Sequence, residues 1–220
     1  MKKVRAIITG ATGMVGEGVM HECLQSPVVE QVLVINRKPC GMQHPKLKEI
    51  LHPDFSDFSS IENQLAGYNA AFMCMGITSV GASEELYTKI TYDYTLALAK
   101  SLVKVNSEAV ICYVSGKGTK QEPSKNMWIR VKGKTEKALQ SLSKNAYMFR
   151  PGYIKPTKGM KNTYTMYRTL DWFMFPLTKL LAPNAACTLK EIGLAMITCA
   201  SKGYESTILE VKDIEKAAKL

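Results

Sequence analysis

Three glycines mark the junction between the first strand-like and the first helix-like segment of the chain. A short apolar run, Val4 to Ile8, predicts a buried strand, and residues 14–24 read as a helix. Gly10, Gly13 and Gly16 lie in and beside the turn that joins them. Such glycines are ordinary loop residues elsewhere, but directly between a first strand and a first helix they are typical of a dinucleotide-binding unit. This context constrains the chain to an α/β fold.

Each glycine of this turn has a predicted role. Gly10 permits the tight turn out of the strand, Gly13 lets the backbone approach a pyrophosphate, and Gly16 lets the helix pack against the strand. The helix N-terminus presents unpaired N–H groups and a partial positive charge to the phosphates. We therefore predict cofactor contacts along the whole turn, at Gly10, Thr12, Gly13, Met14, Val15 and Gly16.

Strand and helix patterns then alternate up to Arg150. The predicted strands after the first are Gln31–Asn36, Leu47–Leu51, Ala70–Met75, Ala109–Val114 and Tyr147–Phe149. The predicted helices after the first are Ile61–Leu65, Glu84–Lys104 and Asn126–Leu142. This alternation predicts an α/β fold with a doubly wound parallel sheet, helices on both faces and the strand order 3-2-1-4-5-6.

The pattern changes after Arg150, although we predict a single domain over residues 1–220. Residues 151–187 carry prolines and aromatic residues and are predicted to form a small variable cover on the substrate side of the sheet. A helix is predicted over Thr188–Ala200, because Thr188 followed by Glu191 makes a capping box. A short strand at Thr207–Val211 and a terminal helix at Ile214–Lys219 complete the prediction.

Composition narrows the class of partner and the compartment. The net charge is +10, but no run of five cations occurs, so we expect no nucleic-acid partner. The apolar segment Trp172 to Leu181 is broken by Pro176 and Lys179 and is too short to cross a membrane, and no signal peptide precedes the first strand. The six cysteines show no metal-ligand spacing, which predicts free thiols in a reducing, cytoplasmic compartment and no metal site.

The end of the second predicted strand indicates which dinucleotide binds. NAD-specific sites usually place an acidic residue there for the ribose hydroxyls, but this chain has Asn36, Arg37 and Lys38. Arg37 can pair with a 2′-phosphate through two hydrogen bonds, and Lys38 adds charge. We therefore predict NADP rather than NAD, with a solvated basic turn as the alternative interpretation.

With Thr9 ahead of the glycines, the spacing Thr-Gly-x-x-Gly-x-x-Gly resembles the short-chain dehydrogenase/reductase superfamily in its extended and atypical branches. The similarity continues to the turn Arg150–Ile154 and is greatest to the branch related to the Tat-interacting oxidoreductase and to epimerase/dehydratase-like proteins. It implies an NAD(P)-binding Rossmann fold. It also implies further cofactor contacts at Asp54, Phe55, Cys74, Met75, Gly76, Lys132, Pro151 and Gly152.

The resemblance also implies a catalytic set of Ser, Tyr and Lys, and the chain departs from it at one position. Ser115 ends the fifth strand and Lys132 fits the family Lys, but Trp128 stands four residues before it in place of Tyr. Indole has no usable acid group. Lys132 keeps the family's contact to the nicotinamide ribose, unless it is an ordinary exposed helix lysine. Tyr153, in the turn beside the expected nicotinamide, is the best replacement for the phenol.

The sequence leaves three functions open. The first is an NADP(H)-dependent oxidoreductase whose acceptor, such as a flavin, quinone or tetrapyrrole, takes its proton from solvent. The second is a non-catalytic NADPH-sensing regulatory protein, because a large ring occupies the place of the acid. The third, less favoured, is an epimerase or dehydratase acting on a nucleotide sugar. The expected partners are a small-molecule substrate and, by resemblance, a second copy bound through the fourth and fifth helices.

Overall fold

A parallel sheet organises the computed structural model, which describes residues 1–122, 124–162, 175, 176, 178 and 180–220. Its strands are β1 Val4–Thr9, β2 Val29–Asn36, β3 Leu47–Leu51, β4 Ala70–Met73, β5 Val110–Val114, β6 Ala146–Arg150 and β9 Ile208–Glu210. They pair in the order β3-β2-β1-β4-β5-β6-β9, and every pair is parallel. The predicted doubly wound sheet and strand order are therefore confirmed, and β9 extends the sheet by a seventh strand.

The helices cover the two faces of this sheet. They are α1 Met14–Gln25, α2 Glu62–Leu65, α3 Glu84–Thr88, α4 Tyr94–Val105, α5 Met127–Leu142, α6 Leu189–Lys202 and α7 Val211–Ala217. A π-helical turn, Lys89–Asp93, joins α3 to α4. The single helix predicted over Glu84–Lys104 is thus one helical stretch with a wider turn in its middle.

Two apolar cores hold the layers together, one on each face of the sheet. Residues of β1 and β2 alternate between them: Ile8 and Val34 face the core under α1 and α6, whereas Ile7 and Leu33 face the core under α2 and α4. This alternation is the period of an extended strand. Because both faces are covered, the strands read in sequence as continuous apolar runs.

Local sequence signals explain where the last two helices begin. The hydroxyl of Thr188 accepts a 3.1 Å hydrogen bond from the Glu191 backbone N–H, and the Glu191 carboxylate accepts one of 2.7 Å from the Thr188 N–H. This is the predicted capping box of α6. A second capping box, formed by Glu210 and Asp213, begins α7 at Val211, so the predicted start at Ile214 is three residues late.

A second, smaller sheet was not predicted. It consists of β7 Tyr153–Lys155 and β8 Ala186–Thr188, paired in parallel. The two strands bring the start and the end of the predicted cover, residues 151–187, side by side. Residues 163–174, 177 and 179 of that cover lie outside the described residues, and these include half of the apolar segment Trp172 to Leu181.

Candidate functional site

The turn after β1 requires glycine at two positions, for different reasons. Gly10 has a φ of +74°, and a Cβ there would lie 2.8 Å from the backbone of Cys74 and Met75 at the end of β4. A Cβ on Gly16 would lie 2.2 Å from the Gly10 carbonyl oxygen. The predicted tight turn at Gly10 is thus a crossing of two backbones, and Gly16 packs α1 against the turn itself.

The start of α1 is open and able to receive an anion. Gly13 is the N-cap residue, and no side chain caps the first turn of the helix. Thr12 and Gly13 are exposed, and Met14 and Val15 are partly exposed. A Cβ on Gly13 would meet only the Gly10 carbonyl, at 3.4 Å, so its other side is free for a close approach. Uncapped N–H groups at such a helix start fit the pyrophosphate of a dinucleotide.

A basic turn follows β2 beside this helix start. Arg37 and Lys38 are exposed, whereas Asn36 is buried with 3% of its surface accessible. The Asn36 amide donates a 2.9 Å hydrogen bond to the carboxylate of Glu49 on β3. Glu49 also accepts a 2.8 Å hydrogen bond from the Cys40 backbone N–H. Sequence reasoning missed Glu49, because its contact to the turn crosses from one strand to the next.

Asp54 and Phe55, the two cofactor contacts predicted after β3, lie in different environments. The Asp54 carboxylate accepts hydrogen bonds from the backbone N–H and the hydroxyl of Ser56, at 2.9 and 2.5 Å. These bonds lower the pKa of Asp54. Phe55 is buried with 3% of its surface accessible and packs edge-on against Phe58, with ring centroids 5.5 Å apart. The structure therefore places Asp54 in a surface turn and Phe55 in the core.

The turn after β4 lies against the glycine turn. The strand ends at Met73, so Cys74, Met75 and Gly76 form the loop that crosses Gly10 rather than the strand end that was predicted. Burial raises the pKa of the Cys74 thiol to about 12, which makes this thiol unreactive at neutral pH. A Cβ on Gly76 would meet nothing within 4 Å, so this position is open.

Lys132 projects from α5 onto the end of β5. Its ammonium donates hydrogen bonds to the carbonyl oxygens of Val114 and Ser115, at 3.1 and 2.9 Å. Burial lowers the pKa of Lys132 to about 8, and the charge of Glu136 one turn further along the helix opposes that shift. The exposed-lysine alternative is therefore wrong. The Ser115 hydroxyl lies beside it and donates a 3.2 Å hydrogen bond to Thr119, a partner not foreseen from sequence.

Trp128 lies one helical turn before Lys132, over the loop that leaves β5. Positions for a Cβ on Gly116 and on Gly118 are each 3.8 Å from the six-membered part of its indole. The ring therefore covers the glycine-rich loop beside Ser115. Tyr113 does not replace the missing phenol, because it is 1% exposed and burial raises its pKa well above that of an ordinary tyrosine.

The turn after β6 is held by a buried ion pair and a close backbone contact. Arg150 donates hydrogen bonds of 2.9 and 2.5 Å to Glu136, which is fully buried. A Cβ on Gly152 would lie 2.1 Å from the Ala185 carbonyl oxygen. Pro151 is buried beside it. The close approach predicted at Gly152 is therefore to the chain of the cover.

Tyr153 begins β7 directly after this turn. Its ring centroid lies 6.4 Å from that of Phe175, and the ammonium of Lys155 lies 4.6 Å from the same Phe175 ring. The ring of Tyr153 thus packs against Phe175 within the cover. Its predicted role as a proton donor stays a prediction.

Glu17 is a further residue that the sequence did not reveal. It lies in the first turn of α1 and is 5% exposed. Its carboxylate oxygens accept hydrogen bonds from the backbone N–H groups of Lys161 and Asn162, each at 2.8 Å. One end of the cover is therefore fastened to the helix that begins at the glycine turn.

The sequence matches the NAD dependent epimerase/dehydratase family over residues 6–129, which include the glycine turn, the basic turn and Ser115. The chain belongs to this family. Nicotinamide dinucleotide binding is the property that the family description names, and the open helix start of α1 and the glycine turn fit it. The atypical short-chain dehydrogenase resemblance is confirmed.

Relatives and a solved structure agree with this membership. Protein HTATIP2 of Rattus norvegicus is 24% identical over 157 residues, which cover 70% of this chain and 64% of that protein. Protein FMP52, mitochondrial, of Candida albicans is 27% identical over 219 residues, covering 94% and 90%. A short chain dehydrogenase/reductase family oxidoreductase from Burkholderia thailandensis superposes with a TM-score of 0.73 at 15% identity, covering 99% and 94%. The chain thus spans less than two thirds of the rat relative's length.

Proposed function

We propose that this family member is an NADP(H)-binding oxidoreductase that reduces a planar acceptor. The observation that carries the cofactor preference is the turn after β2, where exposed Arg37 and Lys38 follow the buried Asn36. A 2′-phosphate has two cations to meet there, and the carboxyl end of β2 has no acidic residue for the ribose hydroxyls. Arg37 supplies two-point hydrogen bonding and Lys38 a compact charge.

The remaining residues would each hold a part of the dinucleotide. The uncapped start of α1 with Gly13 would hold the pyrophosphate, and the loop of Cys74, Met75 and Gly76 would pass along the adenosine ribose. Lys132, at the end of β5, would hold the nicotinamide ribose. The bound nicotinamide supplies hydride chemistry at the crevice above β5 and β6.

The acceptor class follows from what stands beside Lys132. Trp128 offers a flat apolar ring and no acid, so a substrate that requires a phenol proton is disfavoured. Flavins, quinones and tetrapyrroles accept hydride and take their proton from solvent. Ser115 would orient a polar edge of such an acceptor. The same absence of a phenol disfavours an epimerase or dehydratase acting on a nucleotide sugar.

Isothermal titration calorimetry with NADPH and NADH tests the proposal directly. We expect NADPH to bind more tightly, and Arg37→Ala to remove about one to two orders of magnitude of that affinity while NADH binding changes little. Lys48→Ala, which removes an exposed cation from β3, is the matched control. Equal affinity for the two nucleotides in the wild-type protein would refute the NADP preference, and an acceptor panel without NADPH oxidation would refute the reductase.

A second candidate, a non-catalytic NADPH-sensing protein, is favoured by one observation. The Trp128 ring covers the Gly116–Gly118 loop, where substrate would approach Ser115. If this ring closes the site, the nucleotide would act as a ligand only. The wild-type protein would then show no NADPH oxidation with any acceptor, and pull-downs with and without NADPH would recover different partners.

The compartment and the assembly are proposals of the same kind. None of the helices in the described parts of the chain is long and apolar enough to cross a membrane. The Candida albicans relative is labelled mitochondrial. Free thiols throughout the six cysteines support a reducing compartment, which we propose is the cytoplasm. A second copy bound across α4 and α5 is supported by the groove between these helices, in which apolar side chains lie beside Asp93 and Lys100.

A further inference from the structure

The basic turn after β2 is fixed at both ends by one side chain from the neighbouring strand. Asn36 precedes the cations and Cys40 follows them, and the Glu49 carboxylate accepts a hydrogen bond from each, at 2.9 and 2.8 Å. The Asn36 side chain is buried, whereas the Glu49 carboxylate reaches it from the exposed surface of β3. Two anchored ends leave Arg37 and Lys38 on a short, defined arc.

The pKa of the Cys40 thiol also reflects the contact between Glu49 and the end of the basic turn. Burial raises its pKa, a hydrogen bond from the Met42 backbone opposes that shift, and the hydrogen bond and charge of Glu49 raise the pKa further. Glu49 therefore touches the end of the turn through the backbone and through the Cys40 side chain. The free thiol is also half-buried, which leaves it open to reagents.

Glu49 has two opposing effects on NADPH affinity. A carboxylate near a 2′-phosphate repels it, and by charge alone Glu49 weakens NADPH binding. Fixing a flexible arginine and lysine before the ligand arrives removes an entropic cost of binding, and by position Glu49 strengthens it. One oxygen of Glu49, Oε1, accepts both hydrogen bonds from the turn, and this directs the carboxylate at Asn36 and Cys40.

We propose that Glu49 is a positioning residue for NADP selectivity, which holds the turn so that Arg37 and Lys38 are arranged for a 2′-phosphate. This role rests on the NADP preference proposed above. It predicts that selectivity resides in a residue on the edge strand β3 as well as in the turn that touches the cofactor.

Glu49→Ala and Glu49→Gln, titrated with NADPH and with NADH, test this role. We expect Glu49→Ala to weaken NADPH binding by about three- to tenfold, as for the loss of roughly one hydrogen bond to a charged group. NADH binding should be unchanged. Stronger NADPH binding in both variants would show that Glu49 acts only as a repelling charge and would overturn the proposal. Glu30→Gln, an exposed carboxylate at the other end of β2, is the matched control.

A double variant shows whether Glu49 acts through the cations. If it does, Glu49→Ala has little further effect on NADPH affinity once Arg37 and Lys38 are both replaced by Ala, because nothing remains to be positioned. If Glu49→Ala still weakens NADPH binding by about three- to tenfold in the protein that lacks Arg37 and Lys38, the proposal is overturned.

Alkylation of Cys40 by iodoacetamide, followed by mass spectrometry, separates this role from the cofactor preference. Without nucleotide, Glu49→Ala should speed Cys40 labelling several-fold at neutral pH, because the thiol pKa falls when the carboxylate is removed. Unchanged labelling would overturn the anchoring. Faster labelling with unchanged NADPH affinity would confirm the contact and refute its role in selectivity. A wild-type protein without NADP preference would refute the proposed cofactor and this role with it, whatever the labelling shows.

Discussion

At the scale of single residues, Lys132 is the cation that we propose to hold the nicotinamide ribose. Two carbonyl oxygens hold its ammonium, and burial lowers its pKa from 10.5 to about 8. The folded protein therefore gives up this proton at a lower pH than the unfolded chain does. Between pH 8 and 10.5 the unfolded state binds more protons, so stability contributed by this group increases with pH in that window.

We predict that NADPH affinity decreases as the pH rises through about 8, where the Lys132 ammonium loses its proton. Lys132→Met should bind NADPH about tenfold more weakly at pH 7 and show no such decrease, because the titrating group is absent. Calorimetry between pH 6 and 9 measures both. A wild-type profile that is flat over this range, or the same decrease in Lys132→Met, would assign the contact to another residue.

The two glycines at the start of the nucleotide site separate fold from function. Gly10→Ala places a Cβ 2.8 Å from the β4–α3 loop at a φ of +74°, and we expect it to lower the free energy of unfolding by about 2 kcal/mol or more. Gly13→Ala has room in the protein and should change stability by less than about 1 kcal/mol, but the added methyl intrudes on the pyrophosphate. Urea unfolding and NADPH titration of both variants distinguish these effects. A Gly13→Ala protein with wild-type affinity would exclude pyrophosphate contact at this residue.

At the scale of elements, the contact of Glu17 with residues 161 and 162 couples α1 to the cover. Two hydrogen bonds of 2.8 Å to a buried carboxylate hold this segment, which carries exposed Lys158 and Lys161. We predict that Glu17→Ala speeds trypsin cleavage after these two lysines about tenfold, because the segment no longer has to break charged hydrogen bonds to open. Glu85→Ala, an exposed carboxylate at the start of α3, should be cleaved like the wild-type protein. Equal cleavage of all three would contradict the anchor.

The buried pair of Glu136 and Arg150 joins α5 to the end of β6. Glu136→Gln leaves the Arg150 guanidinium, 12% exposed, with the half-exposed Glu210 carboxylate at 3.3 Å as its charged partner, and we expect a loss of up to about 3 kcal/mol in unfolding free energy. The double variant Glu136→Leu with Arg150→Met should regain much of that loss, because no charge remains buried. Urea unfolding at constant pH measures both. A double variant no more stable than Glu136→Gln would show that the attraction within the pair exceeds the free-energy cost of burying its two charges.

The elements themselves were largely predictable, because local signals specify them. Apolar runs such as Ala70–Met73 mark buried strands, and Thr188 with Glu191 marks the start of α6. The π-helical turn and the three-residue strands β7 and β8 were not predicted, since so short a segment carries no periodicity. Sequence patterns do not show contacts between residues far apart in the chain, so Glu17, Glu49 and Glu136 were missed. Thr119 was missed although its partner, Ser115, is four residues away. Phe55 shows the converse, because family position suggested a cofactor contact while its apolar ring packs in the core.

At the scale of the whole molecule, the groove between α4 and α5 predicts how copies meet. It is lined by Tyr92, Leu96, Ala97, Ala138 and Leu142, among others. We predict a homodimer through this face, and Ala97→Arg should convert it to a monomer because a charge would be buried at the centre of the interface. Sedimentation velocity measures the change, with Glu85→Arg, at the rim of the helix pair, as the control. A wild-type monomer at micromolar concentration would refute this assembly.

The pairing of β7 with β8 has a consequence for how such a chain can change. Tyr153 pairs with Ala186 and Lys155 with Thr188, so the two ends of the stretch that joins β7 to β8 lie side by side. The free energy of closing such an insertion grows only slowly with its length, by about 0.6 kcal/mol for each doubling. The segment between the two strands can therefore become longer or shorter, or be replaced as a unit, without changing the residues of the nucleotide site. We expect that exchanging this one segment would change the acceptor of the proposed oxidoreductase without altering nucleotide binding.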